Sequence, residues 1–213
     1  MIVQNNQWSG QPAIIIGGGP SLKSFDWSAL HGRSNIVVIN RAFRDCLWAD
    51  VFFTEDLDAI RLFSEMPEWK AFKGEKIFHA MQRGYGIAAL MVDSSLYVIH
   101  KQREDKYWSR KLSDGLSQSS NSGVGAFNLV DILGANPIFL LGFDCNQLGR
   151  GVNVNYHQDY PENMRSGDHQ MISFKNDFEW WVAPNMKHRE IVNLNPDSAL
   201  ECWPKKHWGE VLK

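Results

Sequence analysis

Three short stretches of this chain carry side chains that could do chemistry. The first holds two histidines, His157 in "NYHQDYP" (155–161) and His169 in "GDHQMISF" (167–174). Histidine titrates near neutral pH and is the usual base for a hydroxyl proton. The spacing puts His169 at the mouth of a helix, where the helix field favours a neutral ring able to accept a proton. The second is "FFTEDLDAI" (52–60), where Asp56 and Asp58 form a D-x-D that could hold Mg²⁺ on a diphosphate. The same acids equally suit the first turn of a helix. The third is "AIIIGGGPSLKSFDWSAL" (13–30), an apolar run that meets three glycines, a proline and a serine.

That glycine turn fits neither common phosphate-loop spelling. No GxxxxGK[ST] string occurs. Gly17 and Gly19 begin a GxGxxG, but Leu22 takes the third place, and the next strand ends at Asn40 rather than an acid, so nicotinamide binding fits poorly. Glycines still permit close backbone approach, Pro20 suits a helix start, and Ser21 is expected to cap it. Free N–H groups there could meet a phosphate or sugar oxygen, and a tight turn without a ligand is the other reading.

The elements that must position these residues alternate. Apolar runs at 13–17, 36–40, 51–54, 96–100, 137–144 and 190–195 read as strands, with "KIFHA" (76–80) a weaker seventh. Most are continuously apolar, as in a parallel sheet covered on both faces. Helices are expected over "SLKSFDWSAL", "DLDAIRLFSEM", "GVGAFNLVDILG" and "HQMISFKNDFEWWVAP", the third stopped by Gly134. The pattern predicts a Rossmann-like, doubly wound α/β domain over 1–213 with a mostly parallel sheet. Two long polar stretches, 101–122 and 146–168, read as lids or disordered loops, with a lid expected over 146–170.

Composition narrows the function. The 213 residues carry a formal charge of −2, which gives no general attraction to nucleic acid or anionic membranes. No apolar run approaches a transmembrane span and no signal peptide is evident. Cys46, Cys145 and Cys202 form no CxxC pair, which fits a reduced, cytoplasmic setting.

Four strings in order carry a family resemblance: "IIIGGGPSL" (14–22), "VVINRAF" (37–43), "SSNSGVGAFNLVDILGANPIFLLGFDC" (119–145) and "IVNLNPDSALECWP" (191–204). Together they resemble the bacterial sialyltransferases of the glycosyltransferase 42 type, and the phage-borne proteins related to archaeal 6-hydroxymethylpterin diphosphokinase. The resemblance spans almost the whole chain and implies a site for a cytidine-monophosphate sugar at the strand ends. It implies Gly18, Gly19, Pro20 and Ser21 near the donor, and Asn40 on its phosphate or sugar. Asn121, Ser122 and Gly123 would contact nucleotide and sugar, and Asp144 would lie near ribose or base. Thr54 would border the pocket by strand position. His157 or His169 would be the base, with no metal required. Three departures are visible. Gly18 stands where the family often has Asn. Ser119 or Ser120 stands in place of an Arg before the T-S-G turn. Asn146 replaces a Tyr that bonds the departing phosphate, leaving Tyr156 and Tyr160 as the nearest phenols.

The expected activity is transfer of a sugar from a nucleotide donor to a hydroxyl acceptor. One alternative is a diphosphokinase-like enzyme using ATP and Mg²⁺ on Asp56 and Asp58. Another is a non-catalytic phage accessory protein that kept the fold. The acceptor, the sugar and any homo-oligomer stay open.

Overall fold

The computed structural model describes residues 3–82, 84–100, 107–117, 121–146, 155–157, 161 and 168–212. The apolar runs form seven strands: β1 (Ala13–Ile16), β2 (Ile36–Ile39), β3 (Val51–Thr54), β4 (Glu75–Ala80), β5 (Tyr97–His100), β6 (Ile138–Leu141) and β7 (Ile191–Asn193). They make one sheet in the order β5-β4-β3-β2-β1-β6-β7, with every pairing parallel. The weakest of the expected strands, β4, is the longest, at six residues.

Both faces of the sheet are covered, which explains the continuous apolar runs. Ile15, Val37, Phe53, Ile77 and Leu140 face one core with helix α4 (Ser122–Leu133) and the stretch of α5 (Asp168–Asp177), a π turn (Phe178–Val182) and α6 (Ala183–Asn185). Ile16, Val38, Phe52 and Phe78 face the other. There they meet α1 (Leu57–Ser64), α2 (Pro67–Ala71), α3 (Tyr85–Val92) and the segment leading to Leu212 after α7 (Trp208–Val211). Gly134 stops α4 in a left-handed conformation, φ +85°, as the sequence indicates. No helix among the described residues is long and apolar enough to cross a membrane.

Two expectations change. The stretch after the glycine turn is not one helix but two short 3₁₀ turns, Pro20–Ser24 and Trp27–Leu30. Ser24 Oγ bonds the Ser21 carbonyl and Asp26 Oδ1 accepts from Ser28 N–H, so side chains compete locally with the helical pattern. The described part of the first polar stretch, 107–117, is no lid. Leu116 is fully buried, and α4 supplies the polar partners. Asn128 accepts from Ser117 N–H at 2.7 Å and donates to the Ser109 carbonyl at 2.9 Å. Asp131 accepts from the Trp108 indole at 2.8 Å.

Asp131 is the hub at this end of α4. Its buried carboxylate also lies 2.7 Å from His188 Nε2 and 2.8 Å from Arg189 Nε, tying the entry to β7 onto the helix. Removing one partner of a buried charge group leaves the others uncompensated. Asp131→Ala should therefore lower the unfolding free energy by about 3–5 kcal/mol. Urea denaturation checks it, and a loss below about 1 kcal/mol would mean the cluster behaves as surface charge.

Candidate active site

The strand order reverses between β1 and β6, and open α/β sheets place ligands outside the strand ends at such a point. The glycine turn lies there, packed against the exit of β6. Gly17 N–H donates to the Leu141 carbonyl and Gly19 N–H to that of Gly142. Ser21 N–H donates to Asp144 Oδ2 at 2.9 Å, and Asn195, beyond β7, donates its side-chain amide to Asp144 Oδ1. Asp144 is 3 % exposed, so both of its carboxylate oxygens serve the frame. Ser21 does not cap the turn, because Gly19 holds the cap position and the Ser21 amide is taken by Asp144. The "NLNPDS" string completes the frame: Asn193 and Ser198 both donate to the Phe143 carbonyl. Of the amides at Gly17, Gly18, Gly19 and Ser21, Gly18 alone has no protein acceptor among the described residues.

The neighbouring strand ends carry a second set of polar groups. Asn40 follows β2 in a left-handed conformation, φ +52°, which Asn tolerates. Its Oδ1 accepts from Thr54 Oγ1 at 2.7 Å. Arg41 follows, 3 % exposed, and is the one Lys or Arg buried to that degree among the described residues. Ser122, at the start of α4, accepts from Glu55 N–H at 3.1 Å. Asn121 holds the cap position of α4, and Gly123 is demanded by packing: a Cβ there would lie 2.7 Å from both Asn121 Oδ1 and the Phe178 ring. Asn40, Thr54 and Ser122 thus share one edge through direct bonds and Glu55.

Sequence reasoning did not single out the pair beneath that edge. His79 is fully buried, with Nδ1 2.8 Å from Glu55 Oε1. Burial pushes the Glu55 carboxyl up despite the opposing hydrogen bond and charge of His79. The sequence signal was faint: a histidine inside an apolar strand, and Gly125 in the interior of a predicted helix.

The described part of the second polar stretch comes close to the glycine turn. Tyr156 N–H donates to the Gly18 carbonyl at 2.9 Å. Tyr156 also bonds Asp45 Oδ2 through its hydroxyl, and His157 Nε2 lies 3.0 Å from the same oxygen. Burial alone would raise the Asp45 carboxyl. Hydrogen bonds from His157 and Tyr156, with the charges of His157 and Arg44, outweigh it and hold the group below its usual range. His169 is exposed in the first turn of α5, and among the described residues no contact joins it to the other site residues. Tyr160 and most of the expected lid over 146–170 lie outside the described residues.

The alternative metal pair has other duties. Asp56 Oδ1 caps α1 by accepting from the Asp58 and Ala59 amides, and Asp58 pairs with Arg61 at 2.8 Å. Among the described residues no three His, Cys, Asp or Glu side chains gather as a metal site. Burial pushes all three cysteine thiols up to about 12, which leaves no thiolate nucleophile at neutral pH.

No protein-family model and no curated protein matches the sequence. Among solved structures, the fold is similar to that of the MAf glycosyltransferase from Magnetospirillum magneticum AMB-1. That likeness has a TM-score of 0.68 at 15 % identity and covers 99 % of this chain and 36 % of that one. The fold is also similar to the sialyltransferase CstII from Campylobacter jejuni, solved in complex with a substrate analogue, cytidine-5′-monophosphate. Here the TM-score is 0.52 at 15 % identity, over 93 % of this chain and 85 % of that one. This chain therefore spans 36 % of the length of the MAf enzyme. Likeness at this identity establishes the architecture, a Rossmann-like α/β fold shared with glycosyltransferases.

Two predictions follow from the packing. A Cβ on Gly19 would stand 2.1 Å from Asp144 Oδ2, whereas one on Gly18 would meet, among the described residues, only Asn155 Oδ1 at 3.4 Å. Gly19→Ala should destabilise by about 1–3 kcal/mol and Gly18→Ala by no more than about 0.5 kcal/mol, read by chemical denaturation. The second concerns pH. A carboxyl whose folded pKa is raised binds its proton more tightly folded than unfolded. Its stabilisation is complete below the ordinary value of 4.5 and is lost as pH rises through the folded value. Glu55→Gln should therefore gain in melting temperature relative to the unaltered protein between pH 4.5 and pH 8, as scanning calorimetry at both ends would show.

Proposed function

We propose that this chain transfers a sugar from a nucleoside-monophosphate donor to a hydroxyl acceptor, binding the donor at the strand ends around the β1–β6 switch point. The observation that carries the reading is the polar row there. The Gly18 amide, Asn40 with Thr54, and Ser122 at the start of α4 line neighbouring strand ends of one sheet. The sialyltransferase with the similar fold was solved with cytidine-5′-monophosphate, which makes a cytidine nucleotide the first donor class to test.

In this reading the glycine turn borders the donor through backbone, while Asp144 and Asn195 hold the turn from behind. Asn40 and Ser122 bond the phosphate or sugar. The buried Arg41 and the start of α4 offset the charge that grows on the phosphate as the glycosidic bond breaks. His157 is the base. Its Nε2 faces Asp45, so the acceptor proton goes to Nδ1 and the resulting imidazolium is stabilised by that carboxylate. The acceptor oxygen then bonds the anomeric carbon, and the phosphate leaves with the electron pair of its former bond. Asp45 and Tyr156 set the ring in place, an arrangement His169 lacks among the described residues. The transfer as written uses no metal.

Thermal-shift measurement with CMP, UMP, GMP, ATP and their sugar forms, each with and without Mg²⁺, tests the reading. A ligand at a hundred times its Kd stabilises by about 2.7 kcal/mol, or about 5–10 °C for a domain of this size. A shift with a cytidine nucleotide that does not need Mg²⁺ is expected. A shift only with ATP and Mg²⁺ would favour the diphosphokinase, and none with any nucleotide would favour a non-catalytic role. Once a donor is found, His157→Ala should cost about 10²–10⁴-fold in rate with donor affinity retained. Full activity in that variant would remove His157 as the base.

A further inference from the structure

Beneath the polar row, Glu55 and His79 form a titratable pair that the transfer chemistry leaves unused. Glu55 directly follows β3, its side chain is 7 % exposed, and its backbone N–H holds Ser122. His79 is fully buried behind it on β4, and its Nε2 has no hydrogen-bond partner among the described residues. Helix α4 is shaped to admit the carboxylate. A Cβ at Gly125 would lie 2.3 Å from Glu55 Oε1 and 2.8 Å from the Phe53 ring. The fold therefore keeps a glycine inside a helix, against its propensity, where the carboxylate and the Phe53 ring both need room.

The charge balance of such a pair is simple. With Nδ1–H donating to the carboxylate, the pair carries one buried negative charge, which is unfavourable in a low-dielectric interior. The facing groups do not fully offset it. His79 comes from β4, Ser122 is neutral, and Asp177 at the end of α5 adds a second negative charge. One proton from solvent makes the pair neutral. An anion arriving at the start of α4 adds more negative potential and strengthens the pull on that proton.

We propose that Glu55 and His79 are positioning residues that couple nucleotide binding to proton uptake: the pair takes one proton from solvent when an anionic nucleoside phosphate seats at Asn40 and Ser122. The proposal rests on the nucleotide reading above. No covalent bond changes beyond the new O–H or N–H of the pair, and the proton comes from the buffer. Affinity for the anion then rises as pH falls, because the protonated pair no longer repels it. Through Glu55 N–H the same residue also holds the hydroxyl that meets the ligand.

The test is isothermal titration of CMP at pH 7.5 in two buffers of different ionisation enthalpy, with the unaltered protein and with Glu55→Gln. The expected result is uptake of up to about one proton per nucleotide in the unaltered protein and a clearly smaller uptake in the variant. The affinity of the unaltered protein should also fall by up to about tenfold per pH unit above neutrality, with a flatter profile for Glu55→Gln. The phosphate's own ionisation near pH ~6 is common to both proteins and cancels in the difference. Should Glu55→Gln not fold, Glu55→Leu, which removes the carboxyl and keeps its bulk beside Gly125, carries the same comparison. Equal buffer dependence in both proteins overturns the proposal while leaving the nucleotide reading intact. No CMP binding in the unaltered protein at any pH overturns both.

Discussion

The carboxylate of Asp144 joins three strand ends that the chain visits far apart. One oxygen takes the amide of Ser21 after β1, the other takes Asn195 after β7, and Asp144 itself follows β6. Buried at 3 % exposure, such a group must have its hydrogen bonds satisfied within the protein. The neighbours are shaped by that need. Gly19 lies at φ −71°, a conformation open to any residue, so glycine is required there for closeness to the carboxylate and to the Gly142 carbonyl. The "NLNPDS" string supplies the donors that close the loop around Phe143 and Asp144.

This constraint divides the edge of the sheet into two parts with different physical character. On the β1–β6–β7 side the polar groups answer one another, and the result is a bonded frame in which the Gly18 amide has no protein acceptor among the described residues. On the β2–β3–α4 side Thr54 bonds Asn40, the Glu55 amide bonds Ser122, and a buried cation, Arg41, follows Asn40. His157 belongs to neither part. It reaches the frame through Tyr156 N–H on Gly18, while its own partner, Asp45, lies beyond β2.

Much of this architecture was legible from periodicity. Continuous apolar runs give parallel strands buried on both faces, and Gly134 marks the end of α4. The glycine turn was legible as a close approach, but its partner was not. Asp144 lies 123 positions from Ser21, and no local pattern says which amide a distant carboxylate will take. The same limit hid the anchoring of 107–117. That stretch looks polar and loose until Asn128 and Asp131 are seen to project from α4 at one-turn spacing to meet its backbone and its indole. The serine expected to cap a helix did not, because Pro20 and the close approach of Asp144 define the turn before Ser21 can. Glu55, just past the end of β3, and His79, 24 residues on in β4, become a pair only through the register of β3 with β4.

That pair bears on what the site is for. A hydrophobic couple of similar volume would fill the space between β3, β4 and α4 without desolvating a charge. Replacing buried ionic pairs by well-packed apolar side chains is often neutral or stabilising. Packing alone therefore gives no reason for Glu55 and His79, and neither does the frame around Asp144, which bonds to neither of them. What remains is their position. Glu55 directly follows β3, holds Ser122 by its backbone and shows a small part of its side chain to solvent, while His79 is sealed behind it. A carboxyl placed so, with a buried base at its back, can change its charge when the potential at the strand ends changes, which an apolar couple could not do.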